Sequence, residues 1–153
     1  MRKWQIIVQI FALLVVCDQA KAGDKEDVLA TWNAVKAAWV IGDIDAAQKH
    51  ASAEFKSFEP DGSLLSPLDY EAAKAAFAAG LKFTVQSAHS EVTVYGEAAI
   101  LTEYHTKHIT PPGGTLVSMT LRATIVFVKQ KGQWKGAHAH ASHLTPTNSE
   151  EGR

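Results

Sequence analysis

His138 and His140 stand two positions apart in the run Gln133-Trp-Lys-Gly-Ala-His-Ala-His-Ala-Ser-His143, whose alternation is that of a β-strand. Residues at that spacing project from one strand face about 7 Å apart along the backbone. Such a pair can converge on one metal ion, move protons, or serve as two structural imidazoles bonded to neighbouring strands. A metal would need a third ligand, and Glu91, Glu103 and His108 are available with nothing in their spacing to choose among them. His143 has the other parity, and His105 and His108 differ in parity from each other. Imidazoles titrate near neutral pH, so a pH-sensitive interface is a further use for the pair.

Arg122 is the other conspicuous group, a guanidinium in the otherwise apolar strand pattern Leu121-Arg-Ala-Thr-Ile-Val-Phe127. If buried it must be paired, because an isolated buried charge costs several kcal/mol. It suits a forked grip on a ligand carboxylate, or a cross-sheet pair with Glu103 or Glu91. Tyr70 and Tyr104 could direct phenols into a pocket, and Trp32, Trp39, Phe58 and Trp134 could wall one, although buried aromatics are commonly plain core. These residues, with Arg122, His138 and His140, form the candidate ligand-binding set. No phosphate-binding glycine loop, zinc-protease motif or nucleophile elbow occurs, so neither a cofactor nor a resident metal is expected.

The elements that must position these groups follow from periodicity. Val28, Leu29, Trp32, Val35, Ala38 and Trp39 recur at helical spacing across 24–41, acidic residues lead, and Gly42 ends the helix. Asp43 caps a short second helix reaching about His50. Ala53 to Phe58 alternates as a short strand, Pro60-Asp61-Gly62 turns, and Ser63 to Leu65 returns. Ser66-Pro67 then opens a third helix, with Tyr70, Ala73, Phe77 and Leu81 as its buried stripe and Gly80 as its stop. Four long alternating runs complete the chain: Phe83–Tyr95, Glu97–Ile109, Thr115–Gln130 and Gln133–His143. In the third, Leu121, Ala123, Ile125 and Phe127 share one face. In the last, Trp134, His138, His140 and Ser142 are expected on one side and Ala137, Ala139 and Ala141 on the other. Helices first and hairpin-joined strands afterwards imply an α+β domain with a curved antiparallel sheet, three N-terminal helices covering one face and the other wet or paired with a second subunit.

At 153 residues, 46% hydrophobic and 20% charged, the chain has the size and composition of one domain with a real core. Its formal net charge of −1 and the lack of a Lys/Arg cluster exclude a surface built for nucleic acid. Residues 1–22 read as a cleaved signal peptide: a basic Met1-Arg-Lys3, an apolar run from Trp4 to Cys17 too short to span a bilayer stably, and small residues at Ala20 and Ala22. The expected organisation is a leader over 1–22, one domain over 23–144 and a polar tail over 145–153, placed in the periplasm or secreted. Removal of the leader takes away Cys17, the single cysteine, and with it any disulfide or thiol chemistry.

The Gly42-Asp43 corner, Val94-Tyr-Gly-Glu-Ala-Ala99, Arg122-Ala-Thr-Ile-Val-Phe127, Gly132-Gln-Trp134 and His138-Ala-His-Ala-Ser142 together resemble the nuclear transport factor 2-like superfamily. Within it they are similar to the SnoaL-like branch and to the association domain of calcium/calmodulin-dependent protein kinase II. The resemblance spans roughly Glu26 to Leu144. It implies a cone-shaped domain with a pocket between helices and concave sheet, dimeric or larger through the sheet. The arginine that the kinase association domains keep in the pocket aligns with Ile125 here, and the carboxylate-and-tyrosine set of the ketosteroid isomerase branch does not assemble from this sequence.

Two readings of function follow. One is an exported dimer binding a small apolar or carboxylated molecule, or a protein partner, favoured by an apparent scarcity of buried carboxylates. The other is a cofactor-independent isomerase, cyclase or lyase using a pocket His or Tyr, and metal binding through His138 and His140 stands as a third.

Overall fold

The first helix, α1 (23–41), ends where its sequence says it should. Gly42 adopts φ +75, a left-handed conformation without penalty for glycine. Its N–H donates to the Trp39 carbonyl at 3.2 Å and that of Asp43 to Ala38 at 2.9 Å, which satisfies carbonyls left open at the helix end. Asp43 then caps α2 (Ile44–Lys49) by accepting from the Ala46 N–H at 2.9 Å. The structure, a computed structural model, describes residues 23–63 and 66–144. The expected leader, the expected tail, and Leu64 and Leu65 lie outside the described residues.

Strand β1 (Ala51–Phe58) is followed by the expected turn, in which Gly62 takes φ +83 and donates its N–H to the Glu59 carbonyl. The next element corrects the expectation of a helix opening at Ser66-Pro67. Those two residues form β2 (Ser66–Pro67), antiparallel to β1, and helix α3 (Tyr70–Ala78) starts later, with the Asp69 carboxylate accepting from the Ala72 N–H at 2.9 Å. Proline holds the residue before it extended, and an aspartate at the cap position supplies what a proline start lacks. Tyr70, Ala73 and Phe77 are half-buried, and no residue of α3 is fully buried, so this helix sits at the rim.

Four long strands follow: β3 (Lys82–Tyr95), β4 (Ala98–Thr110), β5 (Val117–Gln130) and β6 (Gln133–His143). The sheet order is β2-β1-β6-β5-β4-β3. Every pairing is antiparallel except β1 with β6, which is parallel, a join between distant segments that alternation within each strand cannot reveal. The domain is α+β, with a curved, unclosed sheet and N-terminal helices against its inner face.

The inner face of β5 is the expected one: Leu121, Ala123, Ile125 and Phe127 are all buried. Ala123, Ile125 and Phe127 join Val28, Val92, Ala99, Leu101 and Trp134 in one core, with Trp32 of α1 meeting Phe127 edge-on at 6.4 Å between ring centres.

Two bulges change which residues share this face. In β3 the register slips between Ala88 and Glu91, and His89 takes φ +54. In β6 it slips at Ala137, because Phe127 pairs with Gly136 while Val126 pairs with His138. One extra residue inverts parity for the remainder of a strand. The expectation that Trp134 shares a side with His138, His140 and Ser142 is therefore wrong. Trp134 is inside, with Ala139 and Ala141, whereas the two imidazoles and Ser142 are opposite Val126, Thr124 and Arg122 on the outer face.

Candidate functional site

On β4 the inward positions are Ala99, Leu101, Glu103, His105 and Lys107, an apolar series that turns polar halfway along. Glu103 and His105 are 3% and 4% exposed. The β3 bulge explains how a carboxylate can be held there. Ser87 lies on the inward parity before the bulge and Ser90 takes it after, so both hydroxyls face the region of Glu103. Ser90 Oγ donates to Glu103 Oε2 at 2.9 Å, Lys36 Nζ of α1 approaches the same oxygen at 3.3 Å while donating to Ser87 Oγ at 2.8 Å, and His105 Nδ1 lies 3.0 Å from Oε1.

Burial pushes the Glu103 carboxyl upward, but the His105 and Ser90 hydrogen bonds, the nearby Trp32 indole and the Lys36 charge together outweigh it and hold the pKa at about 2. The Trp32 Nε1–H is close enough to contribute but closes no hydrogen bond. An ionised carboxylate only accepts, so in neutral His105 the proton sits on Nδ1 and Nε2 carries the lone pair. That Nε2 is buried and has no hydrogen-bond partner among the described residues.

His105 borders a cavity of about 210 Å³ between the helices and the inner sheet face. Its wall is mostly apolar, with Trp32 and Trp39 from α1, Phe55 from β1, and Ile125 and Phe127 from β5. Trp39 is fixed by Phe77 and Phe83, each about 6.0 Å away between ring centres. Lys36 and Lys107 add two amines, and burial lowers the Lys107 pKa against the raising influence of Glu59 and Glu103. A basic nitrogen backed by a carboxylate in an apolar chamber can accept a hydrogen bond, or a proton, from a bound molecule.

Of the residues expected to bind ligand, Trp32, Trp39, Phe58, Tyr70 and His140 border this cavity. Burial raises the Tyr70 phenol pKa. Trp134 is core: its Nε1–H approaches Asp24 Oδ1 at 3.3 Å, and Lys129 pairs with the same oxygen at 2.5 Å. Tyr104 and Arg122 lie in a separate groove on the outer face with His89, Glu91, His140 and Ser142. His138 is outside as well, and both it and His140 meet the edge of Phe58, at 5.8 and 5.9 Å.

Arg122 does not pair with Glu103, which faces the other side of the sheet; its Nε donates to Ser142 Oγ at 2.9 Å. Nor are buried carboxylates lacking, since Glu103 is one. Among the described residues no three His, Cys, Asp or Glu side chains gather as a metal would require, and His138 and His140 have no third ligand there. Sequence reasoning missed Glu103 and His105 as an interior pair and passed over Lys107. The available signal was their shared parity with Leu101, the i, i+2, i+4 spacing of one buried face.

The profile of the SnoaL-like domain matches residues 28–146. No protein of curated function matches. Among solved structures, a nuclear transport factor 2-like superfamily protein from Salmonella enterica is similar with a TM-score of 0.69 and 18% identity, over 86% of this chain and 99% of that one. The association domain of calcium/calmodulin-dependent kinase II from C. elegans gives 0.65 and 19%, over 80% and 98%. A candidate dehydratase of the same fold family from Streptomyces avermitilis gives 0.67 and 21%, over 81% and 98%. The inner chamber, the helix-lined sheet and the match over most of its length make this chain a member of the SnoaL-like domain family, with the nuclear transport factor 2-like fold.

Proposed function

We propose that this protein is an exported SnoaL-like domain whose cavity binds a small, largely apolar molecule presenting one proton-bearing polar group to His105. The observation that carries this reading is the unpartnered, buried Nε2 of His105, a residue that borders an apolar chamber. A buried acceptor left open costs stability unless an occupant satisfies it. Isothermal titration with 2-naphthol and with 2-methoxynaphthalene tests the reading. The hydroxyl compound is expected to bind about tenfold more tightly, as one good hydrogen bond allows, and His105→Leu should erase the difference. Equal affinities for wild type would refute it.

The Glu103 support behind His105 favours a second, catalytic reading: a proton transfer without cofactor, with Nε2 as base. Its measure is exchange of the acidic C–H hydrogens of 2-tetralone in heavy water, followed by NMR. Acceleration over buffer that disappears in both His105→Gln and Glu103→Gln supports catalysis; no acceleration leaves a binding protein. The candidate dehydratase of similar fold is consistent with either.

Export rests on the basic lead and apolar run of residues 1–22, and finding Met1 retained on the expressed, fractionated protein would overturn it. Self-association through the outer sheet face is proposed from the exposed Tyr104 and Arg122 and the paired imidazoles there, and from the solved neighbours described as association domain and hub. Light scattering should give twice the monomer mass for wild type and the monomer mass for Arg122→Glu.

A further inference from the structure

Lys107 projects into the same cavity as His105, two residues further along β4 on the same face. Among the described residues, no hydrogen bond or salt bridge closes on its amine. The carboxylates that favour its charged form, Glu59 and Glu103, close no ion pair with it among the described residues. Lys36 and Glu103 are engaged with each other, and Glu59 lies at the exposed rim, where its carboxylate holds the Ser57 hydroxyl. The chamber thus keeps an amine that closes no ion pair among the described residues beside a mostly apolar wall, with the Glu59 carboxylate at the cavity border and Glu103 favouring its charged form from a distance. Burial of the amine already costs the ammonium form, which lowers the pKa of the group.

We infer that Lys107 is the anion anchor of the cavity and that the natural occupant is an apolar monocarboxylate, held by its carboxylate at Lys107 and by a proton-bearing group at His105, about 7 Å apart along the strand. A single ammonium, with no second unpaired lysine or arginine bordering the cavity among the described residues, matches one negative charge rather than a phosphate dianion, and a charge-assisted bond in an apolar surround is the strongest contact the chamber can make. Arg122, the residue whose type suggests a carboxylate grip in the sequence, is on the far side of the sheet and cannot take this part. The inference rests on the proposed binding cavity and names the class of its ligand.

The test is calorimetric titration with 2-naphthoate and its neutral isostere 2-naphthamide, beside 2-naphthol. At pH 7 the acid should bind at least about tenfold more tightly than the amide. Lys107→Met should bring that ratio to about one while 2-naphthol is still bound, and Lys107→Gln provides the same readout should the methionine variant fold poorly. A ratio near one in wild type, or a ratio unaffected in a folded variant, overturns Lys107 as anchor while 2-naphthol binding leaves the cavity reading intact. Failure of all three compounds to bind overturns both.

Discussion

Lys36 of α1 and Glu103 of β4 are 67 positions apart in the chain, yet their charged groups meet at 3.3 Å inside the domain. This contact ties the helical layer to the sheet at the point where the sheet carries its buried carboxylate. Helix and strand therefore hold Glu103 jointly, and Glu103 in turn orients His105.

Acid should loosen this arrangement. The Glu103 pKa lies at about 2 in the folded protein against 4.5 ordinarily, so the unfolded chain binds the proton more readily. The stability this supplies is complete above the unfolded value and is lost as pH falls from about 5 towards 2, amounting to about 2 kcal/mol after allowance for solvent screening. Urea titrations at pH 7 and pH 3 measure it, and Glu103→Gln should flatten that part of the pH dependence.

The two faces of β5 should respond unequally to truncation. Phe127 is 1% exposed and meets Trp32, so Phe127→Ala is expected to cost about 3–5 kcal/mol. Thr124, exposed on the other face, should tolerate Thr124→Ala within about 0.5 kcal/mol. Denaturant midpoints of the two variants decide it.

Gly42→Ala should destabilise by about 1–3 kcal/mol. The residue holds φ +75, and an added Cβ would lie 2.8 Å from Cδ1 of Phe77. Since Phe77 packs on Trp39 at the cavity wall, the substitution should also shift tryptophan fluorescence, read together with the thermal midpoint.

Deleting Ala137 removes the extra residue of the β6 bulge. With the bulge gone, either Trp134 must leave the core or His138 and His140 must turn into it. Each outcome places large polar groups or a large apolar ring on the wrong face, and a fall in melting temperature of at least about 10 °C is expected, as several kcal/mol would give for a domain of this size. Ala137→Gly keeps the residue count and should change the midpoint far less.

Much of the path of the chain was legible beforehand. Gly42 and Asp43 announce a helix end and the next helix start because only certain residue types satisfy open backbone groups there. Lys131-Gly132 marks the last turn, and Leu121 to Phe127 reveals a buried strand face by alternation. The β3 bulge also left a trace, since its apolar residues change parity between Val85 and Val92. In β6 the small residues Gly136, Ala137, Ala139 and Ala141 give little contrast between faces, so an unbroken alternation was read where one residue is inserted.

By itself the sequence determined the class of fold, the order of its elements and the family, because these depend on local periodicity and on short-range capping and turn chemistry. The tertiary structure alone decided that His105 and Lys107 border an interior cavity with Glu103 buried behind His105, while Arg122 and His138 look outward and His140 borders both the cavity and the outer groove. Strand register decides that division, and register is set by pairing between segments far apart in the chain, where a single inserted residue exchanges inside for outside.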